Sequence, residues 1–404
     1  MSEKVDITII GAGVIGCALA YELSRENGKS TDIAVIERNQ QVNGENQSSR
    51  NSGVIHAGVY YPKTMGPLKA GLCIEGNRML YEFCTNYDIP HKKCGKLIVA
   101  TDELEKEYLS DVYSIAKDNG VPGLKIIDKS KIKDLEPNVD GISALHVPTS
   151  GIIESTSLVN RLQDLAEESE VMFLTGNTVT SIKPKDNMFE VKISSGTGIE
   201  TFHTNILINS AGLFSDEIAR MVNPSSTYRM DPVKGESAKF YSDSRQNLEM
   251  NGHNVYPVPF GYLPDGNKLR VNFADFKKRF EKGEITKSVG VHLTPAFDYE
   301  GGKPVVGNTI TMGPAYSAPG DKDDYSHSRD TGYYYSMVKP FFPNIREDDI
   351  SLHQTGIRAK LSDYYDFVIE RDPVYKNMIN LIGIDSPGLT SSLAIARYTS
   401  KLIH

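Results

Sequence analysis

A single histidine, His56, sits inside the stretch "SSRNSGVIHAGVYY" (48–61), which is too glycine-rich for a plain helix and too mixed for one plain strand. An imidazole with a reference pKa of about 6.5 can take a proton from an alcohol near neutral pH. Arg358, in "TGIRAKL", offers a planar fork of donors suited to a carboxylate. A base and an anion-binding group are what the oxidation of an anionic secondary alcohol needs, provided that a hydride acceptor lies beside them. The plainer readings are a histidine hydrogen-bonded in a turn and an arginine in an interface ion pair. Lys360 would share a face with Arg358 on a strand and ranks below it. The other eight histidines show no metal-ligand spacing, and only His292, in "GVHLTP", is a candidate for the same pocket. Tyr256 and Tyr262 are candidate wall residues, with packing the plainer reading. The acidic run "DKDDYSHSRD" (321–330) lacks the glycine and terminal glutamate of a calcium loop and reads as a solvated turn.

The hydride acceptor is signalled at the N-terminus. Gly11, Gly13 and Gly16 stand between an apolar run, "VDITII" (5–10), and a helical pattern through "CALAYELSREN". Gly11 permits a tight turn, Gly13 lets a pyrophosphate approach the backbone, and Gly16 lets helix and strand pack closely. With Ile15 in the first helical turn, these residues form the candidate phosphate cradle at a helix N-terminus. Glu37 ends the second apolar strand, "DIAVIER" (32–38). A carboxylate there accepts from ribose hydroxyls and repels a 2′-phosphate, which favours NAD or FAD over NADP. Two later strand-to-helix turns, "NSAGLFSDEIA" (209–219) and "GIDSPGLTSSLAIA" (383–396), tilt the choice to FAD. Their helix N-termini can face a flavin ring or its ribityl chain, for which a nicotinamide enzyme has no use.

The elements that must position these groups follow from pattern. Helical spacing covers 68–87, and "GKLIVAT" reads as a strand followed by a helix that Asp102 caps. A helix at 156–168 precedes strands near 171–182, 188–194 and 201–209. From about 228 to 345 the texture turns to strands and turns rich in Pro, Gly and Tyr, and the last sixty residues return to α/β texture. The expected fold is α/β with an α+β second domain. A discontinuous Rossmann-like dinucleotide domain (1–80, 146–227 and 346–404) is interleaved with a mainly antiparallel-sheet substrate domain (81–145 and 228–345). A net charge of −8 disfavours a nucleic-acid partner. Cys17, Cys73, Cys84 and Cys94 form no CxxC pair and read as idle thiols in reducing surroundings. No leader precedes the first strand, and the longest apolar run is broken by glycines and too short to span a bilayer. No integral membrane segment and a cytoplasmic location are the expectations.

The set "GAGVIG", "SSRNSGVIHAGVYY", "NSAG" and "SPGLTSS" resembles the FAD-dependent oxidoreductases of the D-amino-acid-oxidase type. Within that superfamily "RNSGVIHAGVYY", "CGKLIVAT", "VYPVP" and "GVHLTP" resemble the L-2-hydroxyglutarate dehydrogenases and oxidases, over essentially the whole chain. The sequence departs from that pattern in the charged stretch "NKLRVNFADFKKRFEKGEITKS" and in "TMGPAY" where "GPNA" is usual. The resemblance implies that Glu37 and Arg38 meet the adenosine, that Val179 bonds adenine through its backbone, and that Ala211 and Gly212 lie near pyrophosphate and ribose. It implies that Ser49, Arg50, Val54 and Ile55 line the flavin, with Gly388, Leu389 and Thr390 on its helix-bearing side. His56 would be the base at the reactive face, with Ser52 beside it, and Arg358 would bind the substrate anion. The implied reaction is oxidation of an L-2-hydroxy acid, foremost L-2-hydroxyglutarate to 2-oxoglutarate, by hydride transfer to flavin N5. "NSGVIH" and "SPGLT" are also similar to glycerol-3-phosphate oxidases, which gives a second reading. A third, of another class, is a redox sensor that holds FAD without turnover. Oxygen, a quinone and another redox protein all stay open as electron acceptor, and a quinone would bring peripheral contact with a membrane.

Overall fold

The computed structural model describes residues 4–196, 198–263 and 268–403. The "PDGN" turn (264–267), part of the strand-and-turn region, lies outside the described residues.

Strand Lys4–Ile10 is buried on both faces from Ile7 to Ile10, as a strand covered on two sides is. It lies parallel between Ile33–Ile36 and Gly198–Asn209. Met172–Leu174 extends the sheet parallel beyond Ile33–Ile36, and Met378–Ile382 joins the far side of Gly198–Asn209, also parallel. Thr178–Lys185 and Met188–Ser195 add an antiparallel meander. Helices Val14–Asn27, Pro67–Asn86, Ser155–Glu167 and Gly388–Ile403 pack against one another in one layer and share a single apolar core with this sheet. Helix Ser215–Val222 packs into a second core with the meander.

The second sheet also has eight strands among the described residues. From one edge they run Ser351–Arg358, Val233–Tyr241, Lys303–Ser317, His292–Glu300, Asn254–Pro257, Lys96–Ala100, Ser143–Val147 and Lys125–Asp128. Its pairs are antiparallel except Lys96–Ala100 with Asn254–Pro257. Ser351–Arg358, grouped by sequence order with the C-terminal nucleotide segment, pairs here with Val233–Tyr241. Helix Pro67–Asn86 runs without a break across position 80, another of the expected boundaries.

Two helices interrupt what reads in the sequence as strand and turn. Asn272 accepts the Asp275 N–H (2.9 Å) and starts Phe273–Glu281; Asp330 accepts the Tyr333 N–H (2.9 Å) and starts Thr331–Val338. The first belongs to the charged stretch that departs from the relatives' pattern. That stretch rests on helix Glu103–Asp118 through ion pairs Lys268–Glu105 (2.6 Å), Lys287–Asp111 (2.8 Å) and Arg270–Asp102. Asp102 also caps that helix, as expected, accepting from Glu105 N–H. Among the described residues no helix is long and apolar enough to cross a membrane. Cys73 and Cys84 are buried, which pushes both thiols up to about 12 and keeps them protonated.

Candidate functional site

The turn after the first strand is shaped by its glycines. Gly11 has φ +96°, and a Cβ there would lie 2.7 Å from the Ser210 carbonyl oxygen. A Cβ on Gly16 would fall 1.9 Å from the Gly11 oxygen, so only glycine lets this helix approach its strand. Glu37 is buried and fixes the turn from below, accepting the Ala12 N–H (2.8 Å) on one oxygen and the Asn39 N–H (2.9 Å) on the other. It still faces the cavity, so its remaining lone pairs point where a ribose would lie. Ser48 Oγ accepts the Val14 N–H (2.8 Å) at the start of the helix. Ser49, the expected flavin neighbour, turns the other way and accepts the Gly44 N–H (2.6 Å). The sequence offers both serines at this bend, and only the fold says which one turns inward.

Arg38 is engaged by the protein. Its guanidinium lies 4.1 Å from the Phe214 ring centre and 3.0 Å from Asp323. Asp323 belongs to the acidic run 321–330, which is paired across the fold rather than a merely solvated turn. Lys322 of the same run pairs with Asp216 (3.0 Å) and Glu217 (2.6 Å), Asp324 pairs with Lys234 (3.0 Å), and Tyr325 bonds Gln47 (2.8 Å) and stacks under Arg50 (4.1 Å). The loop therefore straps the second sheet to the nucleotide end. Its acids were read as hydration because their cationic partners are remote in sequence.

At the other end His56 is clamped by its backbone. Its N–H donates to Thr390 Oγ1 (2.9 Å), and its carbonyl accepts from Asn77 Nδ2 (2.8 Å). Its Nε2 lies 3.3 Å from Ser386 Oγ, which lies 3.2 Å from the Tyr61 hydroxyl. Burial, then Lys96, then Arg358 hold this imidazole well below its ordinary pKa, so it is neutral at pH 7. Arg358 ends its strand with one arm on Asp385 (2.8 Å) and the other on the Tyr316 hydroxyl (3.1 Å). Burial works against its charge, but Tyr316 and Asp385 outweigh that, and the guanidinium titrates higher than usual. Lys69 holds the other oxygen of Asp385 (2.7 Å). Asp385 and Ser386 are adjacent, so one short loop ties Arg358 to His56.

One continuous cavity of about 1660 Å³ joins the two ends, above the usual range of about 300–1,000 Å³ for a small-molecule site. Gly11, Gly13 and Ile15 wall it at the helix N-terminus, and Glu37, Arg38 and Val179 at the far end. Ala211 and Gly212 lie along its length, and Arg50, Ser52, Val54, Gly388 and Leu389 surround the region that holds His56 and Arg358. Gly16, Ser49, Ile55 and Thr390 do not reach it. Ile55 is core, and Thr390 acts by holding His56 and the Val54 carbonyl (3.4 Å). The length of the cavity, the glycine cradle at a helix start and the carboxylate at the second strand together fit a dinucleotide with free ribose hydroxyls.

Tyr256 and His292 line the same cavity, with rings parallel within 8° and centres 3.8 Å apart. Behind them lies Lys96, which sequence reasoning missed. It is 1% exposed, and its ammonium is 3.7 Å from the Tyr256 ring centre. The available signal was a lysine set inside the apolar strand of "CGKLIVAT", where a charge is out of place.

The sequence matches the family described as FAD dependent oxidoreductase over residues 6–402. It is 31% identical to a mitochondrial L-2-hydroxyglutarate dehydrogenase of Caenorhabditis elegans, over 99% of this chain and 94% of that protein. It is 30% identical to a glycerol 3-phosphate dehydrogenase of Caloramator mitchellensis, over 98% of this chain and 73% of that one. Among solved structures it is similar to dithionite-reduced L-alpha-glycerophosphate oxidase of Mycoplasma pneumoniae with FAD bound, at a TM-score of 0.81 and 23% identity, covering 99% of this chain and 94% of that one.

Proposed function

The chain belongs to the FAD dependent oxidoreductase family, and from that premise we propose that it oxidises an L-2-hydroxy acid, L-2-hydroxyglutarate, to its 2-oxo acid. The observation that carries the reading is the convergence of His56 and Arg358 on the adjacent residues Ser386 (3.3 Å) and Asp385 (2.8 Å). A protein that only stored FAD would have no need of a neutral buried base beside an anion-binding arginine.

The N-terminal turn at Gly11 and Gly13 would hold the pyrophosphate, Glu37 and Val179 the adenosine, and Val54, Arg50, Gly388 and Leu389 the ring. FAD, when bound, supplies the two-electron acceptor for the hydride. Arg358 takes a substrate carboxylate with the donors that Asp385 and Tyr316 leave over, and it thereby fixes the hydroxyl-bearing carbon. The neutral His56 imidazole takes the hydroxyl proton, while the Ser386 hydroxyl at Nε2 fixes the ring. Thr390 and Asn77 keep the histidine from turning away. Tyr60, Tyr61 and Tyr256 give the cavity an aromatic wall there. The names of the L-2-hydroxyglutarate relatives support this substrate, and the glycerol 3-phosphate relative supports a phosphate ester as the second reading. A hydroxy acid is an anionic small molecule, and the cytoplasm is the location proposed with it.

The test is anaerobic. The purified yellow protein should bleach on addition of L-2-hydroxyglutarate and keep its colour with glycerol 3-phosphate. The opposite result would replace the substrate, and a colourless protein that takes up no FAD would overturn the cofactor reading.

A further inference from the structure

Lys96 begins the strand Lys96–Ala100 and pairs in register with Asn254 on one side and Val147 on the other. Among the described residues its Nζ has no hydrogen-bond partner. It lies against ring faces, 3.7 Å from the centre of Tyr256 and 5.3 Å from that of Tyr60. His292 stacks on Tyr256 at 3.8 Å. Two groups that close to one ring centre occupy its opposite faces, so Tyr256 is held between ammonium and imidazole; both rings line the cavity and Lys96 does not.

Six titratable groups face this ammonium. Cys73 comes from helix Pro67–Asn86 and Cys94 from the segment before the strand; Tyr60, Tyr256, His292 and His56 come from the cavity side. Burial raises the thiols and phenols and lowers the imidazoles, so all six are neutral at pH 7. None is an anion. Arg358 and Lys69 already share Asp385, and Arg50 lies over the Tyr325 ring and donates to the Thr355 carbonyl (3.4 Å). A buried ammonium among neutral groups is costly to maintain, and such positions cluster at working sites. His56 feels both Lys96 and Arg358, so the reacting end of the cavity lies in the field of two cations, and only Arg358 has a carboxylate in the protein.

We propose that Lys96 is the counter-charge for the second carboxylate of the substrate, acting through the Tyr256–His292 stack while Arg358 holds the first. The proposal rests on the hydroxy-dicarboxylate reading above. Lys96 is a positioning residue, since the two rings separate it from the substrate. Burial brings it down to about 7, so near neutrality the free protein holds that proton loosely, and an entering dianion tightens it.

Two measurements decide. In the Lys96→Met holoprotein, with flavin content checked by absorbance, the half-saturating concentration of L-2-hydroxyglutarate for anaerobic flavin reduction should rise about 10–100-fold. That of the monocarboxylate L-2-hydroxybutyrate should change less than about threefold, whereas a merely structural role would move both alike. In the wild type, which needs no variant to fold, calorimetric titration with 2-oxoglutarate in two buffers of different ionisation enthalpy at about pH 8 should show roughly 0.5–1 proton taken up per anion, because both imidazoles start far below that pH. No uptake, or equal losses for the two acids, overturns the role of Lys96 even if L-2-hydroxyglutarate bleaches the flavin. Bleaching by glycerol 3-phosphate alone, with the same uptake when that dianion binds, would retire the proposed substrate and leave Lys96 in place.

Discussion

At the scale of single residues burial keeps two imidazoles of the cavity, His56 and His292, neutral. His56→Ala should leave FAD bound and slow anaerobic flavin reduction by about 10²–10⁴-fold, and near-normal reduction would remove the base role. The same burial has a stability signature. His56 and His292 titrate well below 6.5 in the fold and near it when unfolded. Below about pH 6.5 the unfolded chain therefore binds protons that the folded chain refuses, and stability falls as pH falls toward the folded values. Thermal midpoints measured from pH 7 downward should show this slope, and His292→Gln should flatten it; an unchanged slope would contradict the buried neutral state. His56 could be found in the sequence because its flanking glycines mark an unusual backbone. Lys96 was hidden because it opens an unbroken apolar strand buried at every position, whose pattern does not say which residues back the cavity, and Ser48 because its neighbour Ser49 offers the same chemistry one position away.

Elements were legible where their cause is local. The first strand, its glycine turn and its helix follow from an apolar run covered on both faces and from steric need at Gly11 and Gly16. The helix Phe273–Glu281 is short and sits amid strand-and-turn texture, which hid it although Phe273, Phe276 and Phe280 mark one face and Asn272 gave a capping signal. The strap at 320–325 was missed for a different reason, since its meaning lies in partners such as Arg38 and Asp216 that only the fold brings near. If the strap secures the cofactor, Lys322→Met combined with Asp323→Asn should raise the FAD dissociation constant about 3–30-fold, read by fluorescence titration of the apoprotein. Equal affinity would mean that the strap only joins the two sheets.

For the molecule as a whole, the alternation of α/β and strand-rich texture foretold two sheets, but membership of a sheet is a long-range fact. Ser351–Arg358 has the local look of its C-terminal neighbours, yet it pairs with Val233–Tyr241 and so carries Arg358 to the cavity on the second sheet. The charge buried between these layers affects the entire fold. Lys96 titrates at about 7 when folded and near 10.5 when unfolded, so across that window the unfolded chain holds the extra proton. Its contribution makes stability rise with pH from 7 toward 10.5. Urea midpoints across that range should climb in the wild type and climb less in Lys96→Met; parallel curves would show that the ammonium is better solvated than its burial implies.

The interleaving of the first sheet has a consequence for how the protein is made. Lys4–Ile10 pairs early with Ile33–Ile36, but its other edge waits for Gly198–Asn209, which itself waits for Met378–Ile382. At about 5–20 residues per second a ribosome leaves that apolar edge open for roughly 10–40 seconds. A nascent chain stalled before residue 198 is therefore a target for holdase chaperones and for edge-to-edge aggregation. The cradle for the cofactor is closed only when helix Gly388–Ile403 has emerged to pack on Val14–Asn27.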